Sequence, residues 1–259
     1  MLIAHCSKTC LQIRYENSVK RQFLCKKWCK YPDSMLWVVG TTVVSPEKAE
    51  LLGCVIGDKG IFKRTTRYGC YKGYDLRKYH RYVISICLGN DVDWGYHISR
   101  LAFQSYGIRG STYHDGREWK FISNSTRMFN DLSQYYDPKW NARNWRICDR
   151  LFHTSRHVRE GLLRGYFDAD GYPYFSESRQ EVLVQVNSVN LEGLMDMKCL
   201  FEGIGYNPGL YKRYSNRDVW QLSLLRKADV LHFFSQIRFS INRKQNRLES
   251  LLRRNAILK

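Results

Sequence analysis

Apolar and polar positions change period several times along this chain, and the changes mark its elements. From Met1 to about Tyr31 the pattern is basic and helix-prone, with Cys10, Cys25 and Trp28 among its apolar positions, and Pro32-Asp33 breaks it. A β-branched run follows, Val38-Val39 and Thr41 to Val44. Ser45-Pro46-Glu47-Lys48 then reads as a helix start: a hydroxyl that can cap, a proline at the first helical position and an acid in the first turn. The helix runs through Leu51-Leu52-Gly53-Cys54-Val55-Ile56-Gly57 to Asp58. A strand over Tyr82–Leu88, an amphipathic helix that stops at Gly107 and a charged hairpin around Trp119 come next.

The same order then recurs. Leu162-Leu163-Arg164-Gly165-Tyr166-Phe167-Asp168-Ala169-Asp170-Gly171 is a second apolar helix ending in Asp-Gly. It leads to a strand over Val182–Val186, a helix that stops at Gly203 and a hairpin around Trp220. Each half closes with a further helix and a basic segment. Asp58 and Asp170 stand 112 residues apart, which sets the length of one repeat. The pattern predicts an α+β protein with a basic helical extension over residues 1–45, a first half over 46–155 and a second over 156–259.

Glycine inside a helix costs about 1 kcal/mol against alanine, so it needs a reason. Gly53 and Gly57 lie four apart on one face, and Gly165 and Ala169 do the same. Two such small-residue faces can pack closely, which would bring the helix ends side by side. Asp58 and Asp170 would then meet at the negative ends of two helix dipoles, a poor arrangement unless cations fill it. Oxygen ligands suit Mg2+, and carboxylate-bridged metals suit phosphodiester hydrolysis.

Charge agrees with that chemistry. The 259 residues include 42 Lys and Arg against 24 Asp and Glu, a formal net charge of +18, and the basic residues spread from Lys8 to Lys259 among tyrosines and tryptophans. A dispersed basic track of this kind fits a nucleic-acid partner. With 44% hydrophobic and 14% aromatic residues the chain is no disordered polycation. No apolar run approaches the roughly 18 residues of a membrane span; the longest, Met35–Val44, is interrupted by Gly40 and threonines. The first residues lack a secretory pattern, so the nine scattered cysteines read as reduced thiols of an intracellular protein. Cys6, Cys10, Cys25 and Cys29 have a spacing that could hold zinc; small core positions of a helical segment are the simpler expectation. His153 and His157 could share a helical face, but no zincin glutamate lies between them, and a surface or core role is expected.

Leu163 to Gly171 resembles the LAGLIDADG motif of homing endonucleases, and Leu51 to Asp58 resembles its common first-half variant. The resemblance covers roughly Ser45 to Leu252. It implies two pseudo-symmetric αββαββα halves, with the motif helices as their interface and two curved sheets forming a saddle over DNA. It implies a site-specific, metal-dependent endonuclease that makes a double-strand break, with Mg2+ as cofactor and Mn2+ as substitute. Asp58 and Asp170 map to the metal-binding acids, and Gly57 and Ala169 to the carbonyls that also ligate. Lys139 and Lys244, 81 and 74 residues after their aspartates, map to a basic residue near the scissile phosphate. Lys59 replaces the motif's last glycine, with Gly60 directly after it, and Arg164 and Tyr166 depart from the small and aliphatic consensus.

Sheets in the major groove present alternate side chains to base edges. The first half offers Lys63, Arg64, Arg67, Lys72, Arg77, Lys78 and Arg81, with Arg109 and Arg117 later. The second offers Gln180, Gln185 and Asn187, with Lys212, Arg213 and Arg217 later. The halves differ, so the double-stranded target is expected to be asymmetric and the protein a monomer. Two alternatives use the same scaffold: a maturase that binds its own intron RNA, and a catalytically silent DNA-binding regulator.

Overall fold

The computed structural model describes residues 44–58, 60–67 and 78–257. The expectations for the first 43 residues, including the four-cysteine zinc site, and for Lys59, Lys72 and Arg77 lie outside the described residues. Val44–Lys259 forms one compact unit.

The predicted order of elements is present twice. The first half has α1 (Pro46–Asp58), β1 (Ile61–Arg67), β2 (Lys78–Gly89), α2 (Val92–Tyr106), β3 (Ser111–His114), β4 (Trp119–Ser123) and α3 (Thr126–Leu132). After a short helix α4 (Asp149–Phe152), the second has α5 (Arg156–Asp170), β5 (Tyr172–Ser176), β6 (Glu181–Ser188), α6 (Leu191–Glu202), β7 (Gly209–Tyr214) and β8 (Arg217–Leu224). It closes with α7 (Lys227–His232), a π-helical turn Phe233–Ile237 and α8 (Asn242–Arg254). Each half holds a four-stranded antiparallel sheet of the same connectivity, in the orders β1-β2-β4-β3 and β5-β6-β8-β7.

Local chemistry sets the ends. Ser45 Oγ accepts the N–H of Lys48 at 3.2 Å, and Asn190 Oδ1 accepts that of Gly193 at 3.1 Å. Gly107 ends α2 at φ 69°, a left-handed conformation that favours glycine, with its N–H on the Phe103 carbonyl. β2 extends beyond the sequence-predicted Tyr82–Leu88 because its first residues pair with β1, from Lys78 opposite Arg67 to Tyr82 opposite Lys63. The alternating apolar signal marked only the stretch lying on the core.

Alternation divides each sheet into two faces. Ile84, Ile86, Leu88 and Phe121 of the first sheet are buried in the core, as are Val182, Val184, Val186, Leu222 and Leu224 of the second. α2 covers the former with Trp94, Ile98 and Leu101, and α6 covers the latter with Leu194, Met197 and Phe201. His153 and His157 do not share a helix: α4 ends at Phe152 and α5 starts at Arg156. His157 is exposed and lies 3.3 Å from Glu160.

Candidate metal and nucleic-acid site

α1 and α5 pack on each other more extensively than any other pair of described elements. Their small residues are required by contact rather than by turn geometry. A Cβ at Gly53 would stand 2.2 Å from the Leu162 carbonyl oxygen, and one at Gly165 would stand 1.9 Å from that of Glu50. Gly161 meets the Pro46 carbonyl in the same way. At the far end a Cβ at Gly57 would come within 2.4 Å of the Ala169 Cβ. The helices therefore meet one residue before each motif acid, which brings Asp58 and Asp170 to the same end of the helix pair.

The two acids are held differently. Asp58 is half-buried and accepts the N–H of Cys87 from β2. Gly60 then runs so close to β2 that a Cβ would stand 1.4 Å from the Ser85 carbonyl oxygen, which explains the glycine one place beyond the motif's usual position. Asp170 is exposed, and Gly171 follows directly with its N–H on the Phe167 carbonyl at 2.8 Å. The fields of both acids reach their neighbours. Burial first, then Asp137 and Asp58, push the Tyr136 phenol up to about 12. Burial and then Asp170 raise Tyr166 well above the usual tyrosine range.

Two further groups shape the second site, and only one was expected there. Asp168 is buried and accepts from Ser240 N at 2.9 Å, from Ser240 Oγ and from Ile241 N at 3.5 Å. Burial pushes its carboxyl up to about 7, against the lowering effect of the Ser240 hydrogen bond. Lys244 reaches back from α8, and its Nζ donates to the carbonyls of Asp168 at 2.6 Å, Gly171 at 2.7 Å, Phe167 at 3.3 Å and Ala169 at 3.5 Å. Burial brings that ammonium down to about 8. Lys139, its counterpart by sequence, is exposed in a turn, with its backbone N–H on Asp137 at 2.9 Å.

Arg164, the departure from a small residue, spans the interface. It donates to Glu50 of α1 at 2.9 Å and to the carbonyls of Ile237 and Gln236. Glu50 is buried and also meets His97 of α2 at 2.5 Å. The consensus small residue is thus replaced by an ion pair joining the two halves.

Of the sequence-predicted DNA-binding residues, Lys63, Arg64, Arg67, Lys78 and Arg81 lie on the paired strands β1 and β2, with Arg64 opposite Arg81. Arg109 is exposed and stacks 5.2 Å from the Phe103 ring, and Arg117 is exposed in the β3–β4 turn. On the second half Lys212 pairs with Asp218 at 3.1 Å, Arg213 reaches the Tyr172 hydroxyl at 3.5 Å and Arg217 is exposed. Gln180 sits in the β5–β6 turn at φ 55° and donates to the Glu177 carbonyl.

Gln185 and Asn187 are less available than their sequence suggests. Both lie on the face of β6 opposite the core valines. Gln185 is buried there and accepts from Gln221, which also donates to the Tyr211 and Ser223 hydroxyls, both at 2.9 Å. Asn187 donates to the Tyr172 hydroxyl at 2.7 Å. Sequence reasoning missed Tyr172, Tyr211, Gln221 and Ser223. The signal was present in the alternating polar pairs Gln185/Asn187 of β6 and Gln221/Ser223 of β8.

The donor set at the joined helix ends fits a hard divalent cation. Two carboxylates and the carbonyls of Gly57 and Ala169 are all oxygen ligands, and helix-end carbonyls lack intrahelical partners. Among the described residues no group of three or more His, Cys, Asp or Glu side chains is placed to hold a metal ion. No described helix is long and apolar enough to cross a membrane.

Residues 157–238 match the family model described as a LAGLIDADG-like domain. The chain is 26% identical over 122 residues to a probable translation initiation factor IF-2 of Methanocaldococcus jannaschii, covering 46% of the chain and 10% of that protein. The chain thus spans about a tenth of that relative's length. It is 22% identical over 222 residues to an uncharacterized protein of the same organism, covering 80% of the chain and 72% of the relative. Among solved structures it resembles I-DmoI in complex with DNA and Ca, with a TM-score of 0.57 at 16% identity over 80% of the chain and 98% of the other. It also resembles the meganuclease I-SmaMI bound to uncleaveable DNA, with a TM-score of 0.53 at 12% identity over 83% of the chain and 90% of the other.

Proposed function

We propose, from the match of residues 157–238 to a LAGLIDADG-like domain and from the repeated motif helices, that this chain is a site-specific DNA endonuclease of that family that makes a metal-dependent double-strand break. The observation that carries the proposal is the pair Asp58 and Asp170 at the touching ends of α1 and α5. A single helix ending in aspartate is ordinary; two, brought together by glycine contacts and tied to a basic sheet surface, have a cation-binding function. The complexes of I-DmoI with DNA and Mn or Ca, and of I-SmaMI with DNA, support the same reading.

Asp58 and Gly57 would hold a divalent ion on one side, and Asp170 and Ala169 on the other. Mg2+ fits this set and Mn2+ would substitute. Such ions supply positive charge against the phosphate and lower the pKa of water. The protein's own residues do the rest. The Cys87 N–H orients the Asp58 carboxylate, Asp168 ties α5 to the segment before α8, and Lys139 and Lys244 are the basic groups assigned to the neighbourhood of the two scissile phosphates. The two sheets bind the duplex. Basic β1 and β2 contact one half-site and the hydrogen-bonded polar face of β6 and β8 the other, so the target is asymmetric and one chain suffices to bind it. Residues 46–155 and 156–259 are the two halves of this machinery.

The test is cleavage of a plasmid library carrying candidate target sites. Wild type linearises its substrate in Mg2+ or Mn2+, whereas Asp58→Asn and Asp170→Asn bind the same DNA and leave it uncut. A wild type that binds and never cuts in either metal removes the endonuclease reading and leaves an RNA maturase or a silent regulator on this scaffold.

A further inference from the structure

Helix α5 ends in a concentration of negative potential: the carbonyls of its last turn, the buried Asp168 and the exposed Asp170. In the protein itself the charge meeting these carbonyls is the Lys244 ammonium, and its four contacts are graded. The two short ones, to the Asp168 and Gly171 carbonyls at 2.6 and 2.7 Å, flank the Ala169-Asp170 pair. The longest, at 3.5 Å, goes to the Ala169 carbonyl, one of the oxygens assigned above to a metal.

This ammonium is built in rather than passing through. Lys244 sits in the first turn of α8, and that turn is fixed from both sides. Asp168 takes the N–H groups of Ser240 and Ile241 just before it, and Gln245 Oε1 takes the Phe239 N–H at 3.0 Å. The Phe239 ring lies 5.8 Å from the ammonium. Arg243, next in the chain, pairs with Asp91 of the first half at 2.8 Å.

We propose that Lys244 is a tethered cation of the second metal site: it stabilises the α5 end when no divalent ion is bound, and a divalent ion must bind against it. This rests on the assignment of Asp170 and Ala169 as metal ligands. Its consequence runs opposite to that of a ligand or a simple scaffold residue. A divalent ion entering beside a fixed positive charge a few ångströms away is repelled, so removing the charge strengthens binding at that site. A residue that merely shaped the site would weaken binding when lost.

The experiment is Mn2+ titration of the full chain, followed by electron paramagnetic resonance without DNA. Asp58→Asn isolates the second site and Asp170→Asn the first. In the Asp58→Asn background, Lys244→Met tightens Mn2+ binding by about tenfold or more, Lys244→Arg leaves it as it was, and in the Asp170→Asn background Lys244→Met changes nothing. In chelator, Lys244→Met also lowers the thermal midpoint, and saturating Mn2+ narrows the difference from wild type. Unchanged or weaker Mn2+ binding in Asp58→Asn/Lys244→Met overturns the proposal. Should Lys244→Met not fold, Lys244→Gln, which can still donate to a carbonyl but carries no charge, makes the same comparison with the same two outcomes. If Asp58→Asn and Asp170→Asn leave Mn2+ binding identical to wild type, the metal assignment itself fails, which is a different result from failure of the Lys244 role alone.

Discussion

Asp168 and Asp170 lie two apart in one motif and have opposite roles. Asp170 is exposed at the helix end, while Asp168 is turned inward as the acceptor for the chain approaching α8. Buried donors that lose their acceptor cost about 1–3 kcal/mol each. Asp168→Ala should therefore lower stability by about 3 kcal/mol in urea denaturation, and Asp168→Asn, which keeps an acceptor oxygen, by clearly less. The first-half counterpart is Ile56, a core residue, so no comparable tie exists at that position. The Glu50–Arg164 pair makes a second claim at this scale. Arg164→Met leaves the Glu50 carboxylate buried with His97 and without its guanidinium, a change that typically costs about 3–5 kcal/mol. Adding Glu50→Gln should recover much of the loss, and a double-mutant cycle of unfolding free energies measures the coupling.

At the level of elements, the fold depends on how closely α1 and α5 can approach. Gly165→Ala places a methyl where the Glu50 carbonyl oxygen stands, and backbone cannot move aside as a side chain can. The helices must separate, at a cost of about 2–3 kcal/mol, and the two acids move apart with them. Gly203→Ala is the control, because its nearest neighbour is the flexible end of Arg159. Thermal unfolding should show a large drop for the first and little for the second. The endonuclease reading adds that Gly165→Ala loses more activity than its remaining folded fraction explains. The paired elements were legible in the sequence for simple reasons. Apolar runs, a capping Ser45 and stopping glycines are local signals, and two copies of each made the repeat plain. The break between His153 and His157 was not legible, because Thr154-Ser155 carries no strong stop signal.

For the whole molecule the net charge of +18 is the relevant quantity. If the sheets contact DNA through about 6–10 phosphates, the apparent binding constant falls by about 10^3- to 10^5-fold between roughly 50 and 200 mM salt. Fluorescence anisotropy on a labelled duplex checks this, and a flat salt response would contradict a phosphate-based interface. The two halves should lose binding unequally. Charge-removing substitutions on β1 and β2 flatten the salt slope, whereas Gln221→Leu on β8 leaves the slope unchanged and alters preference among sequences of one half-site. A sequence-selection experiment separates the two effects.

The sequence by itself determined the repeat, the helix–strand order, the small-residue stripes and the two acids at their ends. All of these are local patterns or spacings along one chain. Tertiary structure decided which side chains were already engaged. Gln185 looked free to read bases and is buried in a hydrogen-bonded group with Gln221. Arg164 looked like a departure from a motif and is an inter-half ion pair. Lys244 was assigned by resemblance to the neighbourhood of a phosphate, and the fold adds that its ammonium holds carbonyls at the end of α5 from 73 or more residues away in sequence. Partnership of this kind depends on what the fold brings within about 3 Å of a polar atom, and spacing along the chain carries no information about that.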